Sequence, residues 1–141
     1  MKYSRVGFGL VALAAVVIAV AGCGWLGGSS PTAAMLSFYE ASRNQDATAM
    51  KKYLSKASIE MMEKMAKEKS KSLDEFLKEG KLGRGDKDPK VPEVRNEKID
   101  GDKATLEVKD TDRDKWETIP FVKEDGSWKI ALDKFMEAEK K

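Results

Sequence analysis

The chain has 141 residues, no histidine and one cysteine, Cys23. The missing histidine removes the commonest catalytic base, proton shuttle and imidazole metal ligand together. A lone cysteine excludes an intramolecular disulfide and any multi-cysteine metal site. An excess of one charge is missing as well, with 26 basic residues against 24 acidic ones. Nucleic-acid binding and a polybasic grip on anionic lipid both need a basic surplus, so neither is expected. No metal and no cofactor is expected either. Any catalysis would rest on carboxylates, lysine, tyrosine or serine.

What is present begins with the one long apolar run. Lys2 and Arg5 precede an uncharged stretch from Val6 to Ala21. A comfortable transmembrane helix needs about 20 apolar residues. A shorter run behind a positive start suits the apolar region of a signal peptide. It leads into Val20-Ala21-Gly22-Cys23. This resembles the lipobox of bacterial lipoproteins. Small residues let a peptidase close around the backbone, and the cysteine supplies the thiolate that takes lipid. The resemblance implies cleavage before Cys23 and anchoring through acyl chains such as palmitate. At about 0.8 kcal/mol per buried CH₂, two chains anchor stably where one does not. Cleavage would also remove Lys2 and Arg5, leaving 24 basic residues against 24 acidic. Gly24 follows, where aspartate tends to mark retention in an inner membrane. The expected location is therefore the outer membrane, if the organism has two.

Gly24 to Ser30 reads as a Gly/Ser tether spanning on the order of 15 Å. Ser30-Pro31 is a helix cap and first helical position. The helix it starts runs to about Ser42, apolar round most of its circumference. Asp46 caps a short second helix, and Ser58 opens a third with Ile59, Met61, Met62 and Met65 inward. Ser72-Leu73-Asp74-Glu75 is a capping box for a fourth, which ends at Gly80. Beyond the charged loop 81–90 the apolar period changes from 3.6 to 2. Strands are expected over Val91–Ile99, Lys103–Lys109, Lys115–Lys123 and Ser127–Asp133. Asp100-Gly101 and Asp125-Gly126 mark the hairpin turns. Ala104, Leu106 and Val108 share one strand face; Trp128, Ile130 and Leu132 share another. Pro120 predicts an edge or bulged third strand. Helices before strands give an α+β fold. The expected organisation is a signal peptide over 1–22, a lipidated tether over 23–30, one domain over 31–135 and a charged tail over 136–141.

Three stretches in this order carry a family resemblance: Pro31-x-x-Ala34-x-x-x-Phe38-Tyr39-x-Ala41 with Asp46-x-x-Ala49-Met50-x-x-Tyr53-Leu54-Ser55; Gly101-Asp102-x-Ala104-x-Leu106-x-Val108; and Phe121 through Ile130 with its Gly126-Ser127-Trp128-Lys129-Ile130 hairpin. Together they resemble small bacterial lipoproteins of the nuclear transport factor 2-like (cystatin-like) superfamily, including uncharacterised or lumazine-binding-like domains. Gln45 departs from the pattern, standing where members usually have glycine before the aspartate. The resemblance implies N-terminal helices packed in a strongly bent four-stranded antiparallel sheet, a cone able to hold a small ligand. It carries over no catalytic residue, because no motif places Asp or His in the cone.

Asp110-Thr111-Asp112-Arg113-Asp114 starts like a calcium loop, but Lys115 and Phe121 stand where that loop needs Gly and Glu. A solvated turn is the better account. Arg84-Gly85-Asp86 is too short a motif to carry weight. The lysines of the Met-rich third helix are balanced by Glu60, Glu63 and Glu68, as on a solvated face. Tyr39, Tyr53, Trp116 and Trp128 are the candidate lining of a ligand pocket. The expected function is a lipid-anchored, non-catalytic envelope module that binds a small molecule or a protein partner. Two alternatives stand beside it. One is a small enzyme using a carboxylate or tyrosine in the cone. The other is a structural or assembly role, with a homodimer through the open sheet face. A cone filled by methionine and aromatic side chains favours interaction; convergent polar groups in a pocket favour ligand binding or catalysis.

Overall fold

A computed structural model describes residues 29–80, 91–110 and 112–140. Cys23, the apolar run before it, the tether up to residue 28 and the 81–90 loop with Arg84-Gly85-Asp86 lie outside the described residues. The fold is α+β, with helices followed by a four-stranded antiparallel sheet that is not closed into a barrel. No helix among the described residues is long and apolar enough to cross a membrane.

Helix α1 spans Pro31–Arg43 and starts as expected, with the Ser30 hydroxyl accepting the N–H of Ala33. Its end explains Gln45. Asp46 N–H reaches back to the Ala41 carbonyl, and Gln45 sits at φ +55°. This is the left-handed closure of a helix end that favours glycine. A side chain held there costs roughly 1–2 kcal/mol. Asp46 then caps α2, Ala47–Lys52, through Ala49 N–H. Helix α3 spans Lys56–Glu68, and here the expectation fails: Ser55 is the cap, while Ser58 lies inside the first turn. Helix α4, Leu73–Glu79, has both halves of its capping box, Glu75 N–H on Ser72 Oγ and Ser72 N–H on Glu75 Oε2.

The strands are β1 (Val94–Asp100), β2 (Lys103–Asp110), β3 (Lys115–Glu124) and β4 (Ser127–Ile130), in that order across the sheet. β1 therefore starts three residues later than Val91. The fourth strand ends at Ile130, not Asp133. A fifth helix, α5, covers Leu132–Glu139, so residues 136–139 of the expected tail are helical. Leu132 does not share the β4 face.

The two Asp-Gly turns differ. Asp125 and Gly126 both have positive φ and form a two-residue loop between Glu124 and Ser127, as a type I′ turn requires. In the first hairpin Asp100 still pairs with Lys103, so the loop is Gly101-Asp102 and only Gly101 has positive φ.

Pro120 does not make β3 an edge. The strand is central, and Pro120 sits opposite Thr105 in β2. Its carbonyl points toward β4 and accepts the N–H of Ala131, one residue beyond that strand. The N–H that proline lacks would point to the same side, past the end of the β4 ladder, so no ladder bond is lost. The irregularity lies in β1 instead, between Arg95 and Lys98, where Asn96 has φ +52°.

Helix α1 packs on the sheet, meeting β1, β2 and β4. The core between them joins Ala34, Met35 and Phe38 of α1 to Leu106, Phe121, Trp128 and Ile130, with Met50, Met62 and Leu77 from the other helices and Leu54 from the link between α2 and α3. The outer edge of β4 is sealed by the chain after α2: Ile130 donates to the Tyr53 carbonyl at 2.7 Å and its own carbonyl accepts Ser55 N–H at 3.0 Å.

Candidate functional site

The space between α1 and the sheet holds an apolar core. Met50, Leu106, Phe121 and Ile130 are fully buried there, and Phe38, Met62 and Trp128 nearly so. The buried polar residues among those described are all serines: Ser42, Ser55, Ser58 and Ser127. No carboxylate or lysine is buried with them.

Two of these serines form a cluster that sequence reasoning missed. Ser58, 0% exposed, places its Oγ 2.6 Å from Ser55 Oγ, 2.9 Å from Asp133 Oδ1 and 3.2 Å from the Ile130 carbonyl. Ser55 Oγ accepts Ser58 N–H at 3.1 Å, and the Asp133 N–H points back to Ser58 Oγ at 3.4 Å. A serine beside a carboxylate has the outline of an activated nucleophile. Here each oxygen is committed to a neighbour and no substrate reaches Ser58. The cluster instead fastens the start of α5 to the start of α3. The signal for it was the Ser55/Ser58 spacing, which puts one hydroxyl at the cap and the other under the first turn.

The four aromatic candidates do not converge. Trp128 is 4% exposed in the core, and Tyr39 is buried on α1. Tyr53 is half-buried at the end of α2 and packs against the core. Trp116 lies on the other face of the sheet. Counted along β3 it is out of phase with Ile119 and Phe121, which face the core.

On that outer face Trp116 belongs to a polar cluster. The Arg95 guanidinium stacks on its ring, 3.8 Å from the centroid. Arg95 Nε donates to Glu107 Oε2 at 2.5 Å, and Asn96 Nδ2 donates to the same oxygen at 2.9 Å. Arg95 and Glu107 are cross-strand partners. The left-handed turn of the chain at Asn96 brings its amide beside them. The bonds from Arg95 and then Asn96 hold the Glu107 carboxyl below its ordinary range. The result is a flat aromatic ring covered by a fixed cation, half-open to solvent. Such a surface suits planar or anionic groups on a partner. Arg95 was not singled out from the sequence, although its place opposite Glu107 in a hairpin was the available sign.

Two of the three carboxylates of the acidic turn, Asp110 and Asp114, are engaged. Asp110 Oδ1 accepts the N–H groups of Asp112 and Arg113 at 2.9 and 3.2 Å. Asp114 pairs with Lys109 at 3.1 Å, a bond that raises the lysine's pKa. Among the described residues no cluster of three or more Asp, Glu, His or Cys is arranged to hold a metal ion.

Residues 22–131 match the family described as Domain of unknown function (DUF4878). The chain belongs to this family. No curated protein and no solved structure gives a significant match. The matched span takes in α1 through β4 and stops at Ala131, just before α5. Both the apolar core between α1 and the sheet and the Arg95–Trp116 face thus fall within the matched span.

The charged groups also set an expectation for pH and metals. Asp74 is held low by its bond from Lys51, Glu75 by its bonds from Ser72, and Glu107 by Arg95. A lowered carboxylate contributes stability that is present above its unfolded value, 3.8 for Asp74 and 4.5 for the two glutamates, and is lost as pH falls below it. Lys109 is raised above 10.5, so its contribution persists until pH rises past that value. Lys129 is lowered by burial, a cost relieved only as pH climbs toward 10.5. With no histidine, nothing in this set has its ordinary titration between pH 5 and 8. Calorimetry of residues 30–141 should give a flat unfolding temperature across pH 5–8 and a fall below about pH 4. Millimolar Ca²⁺ or micromolar Zn²⁺ should leave it unchanged. A steep slope near neutrality would point to a shifted carboxylate and revive the enzyme reading; a large metal shift would revive the acidic turn.

Proposed function

We propose that the protein is a lipid-anchored, non-catalytic module of the cell envelope that binds a protein partner through the outer face of its sheet. The observation that carries this reading is the apolar core. Among the described residues no carboxylate or lysine is buried between α1 and the sheet, where a cone-shaped fold would place a catalytic group. Recognition is then left to the surface, and the stacked Arg95–Trp116 pair with Glu107 is the surface cluster best built for it. Arginine and tryptophan are the residue types that dominate binding energy in protein interfaces. A small planar ligand on the same ring is the second reading, since an aromatic face under a cation serves either.

We further assign the domain to the nuclear transport factor 2-like (cystatin-like) superfamily. Supporting this are the helices-then-sheet order, the packing of α1 across the sheet and the Gly126-to-Ile130 hairpin. Anchoring rests on Val20-Ala21-Gly22-Cys23 and on the tether that follows. Outer-membrane placement in a two-membrane organism rests on Gly24.

The binding face is tested in cells with the full chain carrying a photo-crosslinking amino acid at Thr118, an exposed outer-face position near Trp116. The control position is Glu60, exposed on α3. A discrete adduct at 118, absent at 60 and lost with Arg95→Ala plus Trp116→Ala, is expected. No adduct at 118, or equal adducts at both positions, removes the proposal.

A further inference from the structure

We propose that β1 is a self-pairing edge, through which two copies of the chain join their sheets into one continuous antiparallel sheet of eight strands. This goes beyond the partner-binding face and does not rest on it. The sheet has two edges, and they are treated differently. The β4 edge is closed by Tyr53 and Ser55. Among the described residues no strand pairs with the outer edge of β1, and every residue from Arg95 to Asp100 is exposed.

The backbone of β1 is presented for pairing at one residue. Lys109 N–H donates to the Glu93 carbonyl, so the β2 residues in phase with Lys109 turn their bonding groups toward β1. Thr105 is in that phase and pairs with Lys98. Bonding direction alternates along an antiparallel ladder. The N–H and C=O of Ile99, next to Lys98, therefore point to the open edge. A second copy related by a two-fold axis at Ile99 would exchange both bonds with this residue, as a hydrogen-bonded antiparallel pair does.

Side chains select the same register. Open edges are usually blunted by charge and by bulges. The irregularity at Asn96 confines flat strand to Glu97–Asp100, yet the charges there are not of one sign. With Ile99 opposite Ile99, each Lys98 faces the other copy's Asp100, twice over, on the outer face. Among the described residues neither Lys98 nor Asp100 is in an ion pair. Ile99, 54% exposed, is one of two large apolar residues left open to solvent among the described residues, and it would be covered by its own copy. Shifting the axis to Lys98 opposes two lysines; shifting it to Asp100 opposes two aspartates. Like charges directly opposite are destabilising. Only the Ile99 register both pairs the charges and covers the isoleucine.

The test is cysteine cross-linking of the full chain. In a hydrogen-bonded antiparallel pair the opposed Cα atoms lie about 5.5 Å apart, within the roughly 4.4–6.8 Å that a disulfide spans. Ile99→Cys should give a covalent dimer under mild oxidation. Glu60→Cys, exposed on α3, should not, and wild type reports any dimer made through Cys23. Adding Asp100→Lys to Ile99→Cys turns both attractions into repulsions and should cut the dimer fraction about tenfold or more. Adding Lys98→Asp as well reverses both signs and should restore it. Cross-linking at 99 no stronger than at 60, or indifferent to Asp100→Lys, overturns the proposal.

Discussion

Trp128→Ala is expected to lower the unfolding free energy of the domain by about 3–5 kcal/mol, the range for removing a buried aromatic side chain. Trp128 is 4% exposed and packs in the core with Ile130, Phe121 and Leu106, while Lys123 holds its ammonium over the ring at 5.6 Å. Alanine would leave a large void in a layer already fixed on one side by α1 and on the other by the β3–β4 ladder. The structure has little room to close it, because both backbone groups of Ile130 are tied, its N–H to Tyr53 and its carbonyl to Ser55. No intramolecular disulfide compensates, since the chain has one cysteine. Domains of this kind have about 5–15 kcal/mol in total, so the variant should be partly unfolded near 37 °C or lose most of its denaturant range. Trp116→Ala is the built-in comparison. The same side chain is deleted, but from the outer face, where substitutions usually stay within about 0.5 kcal/mol. Denaturant midpoints of both variants against wild type decide the matter. Equal losses would mean that the two faces of the sheet have been assigned wrongly.

The contrast between these tryptophans shows what a sequence makes legible. Period-2 patterning placed Trp128 with Ile130, and it also separates Trp116 from Ile119 and Phe121. Helix starts were equally readable, because Ser30-Pro31, Asp46 and the Ser72/Glu75 box act on neighbouring backbone and need no distant partner. Errors arose where tertiary contact decides. Ser55 and Ser58 are both plausible caps by composition. Ser55 wins because its N–H is taken by Ile130, a residue 75 positions away, which fixes the chain just before the helix. Leu132 fits the alternation of Trp128 and Ile130, but it also begins the Leu132, Phe135, Met136 spacing of a helix. A run this short satisfies both periods, and the Asp133 bonds to Ser55 and Ser58 favour the helix. Pro120 signals an edge or a bulge through its missing N–H alone; that the β4 ladder ends at Ile130, beside it, is a tertiary fact. Arg95 escaped notice for a different reason: a single arginine in a charged strand has no signature until the ring beneath it is known.

Cys23→Ser is expected to abolish lipidation altogether, an effect of kind more than of degree. The proposed lipid attachment needs a sulfur nucleophile, and a serine hydroxyl remains protonated where a thiolate forms. The proposed mature chain offers no ionic grip in its place. Its basic and acidic residues balance at 24 each, which gives no net attraction to anionic lipid. No helix among the described residues is long and apolar enough to span a bilayer. The variant should therefore accumulate with its N-terminal segment still attached, or leave the detergent phase in which the wild type partitions. Labelling with a radioactive or clickable palmitate analogue should mark the wild type and not the variant. The fold should not respond, since Cys23 lies outside α1 to α5 and the sheet, so the unfolding temperature of the residue 30–141 core serves as the control for the two chains. A Cys23→Ser protein that is processed normally, still labels with palmitate and stays in the detergent phase would refute the lipoprotein reading.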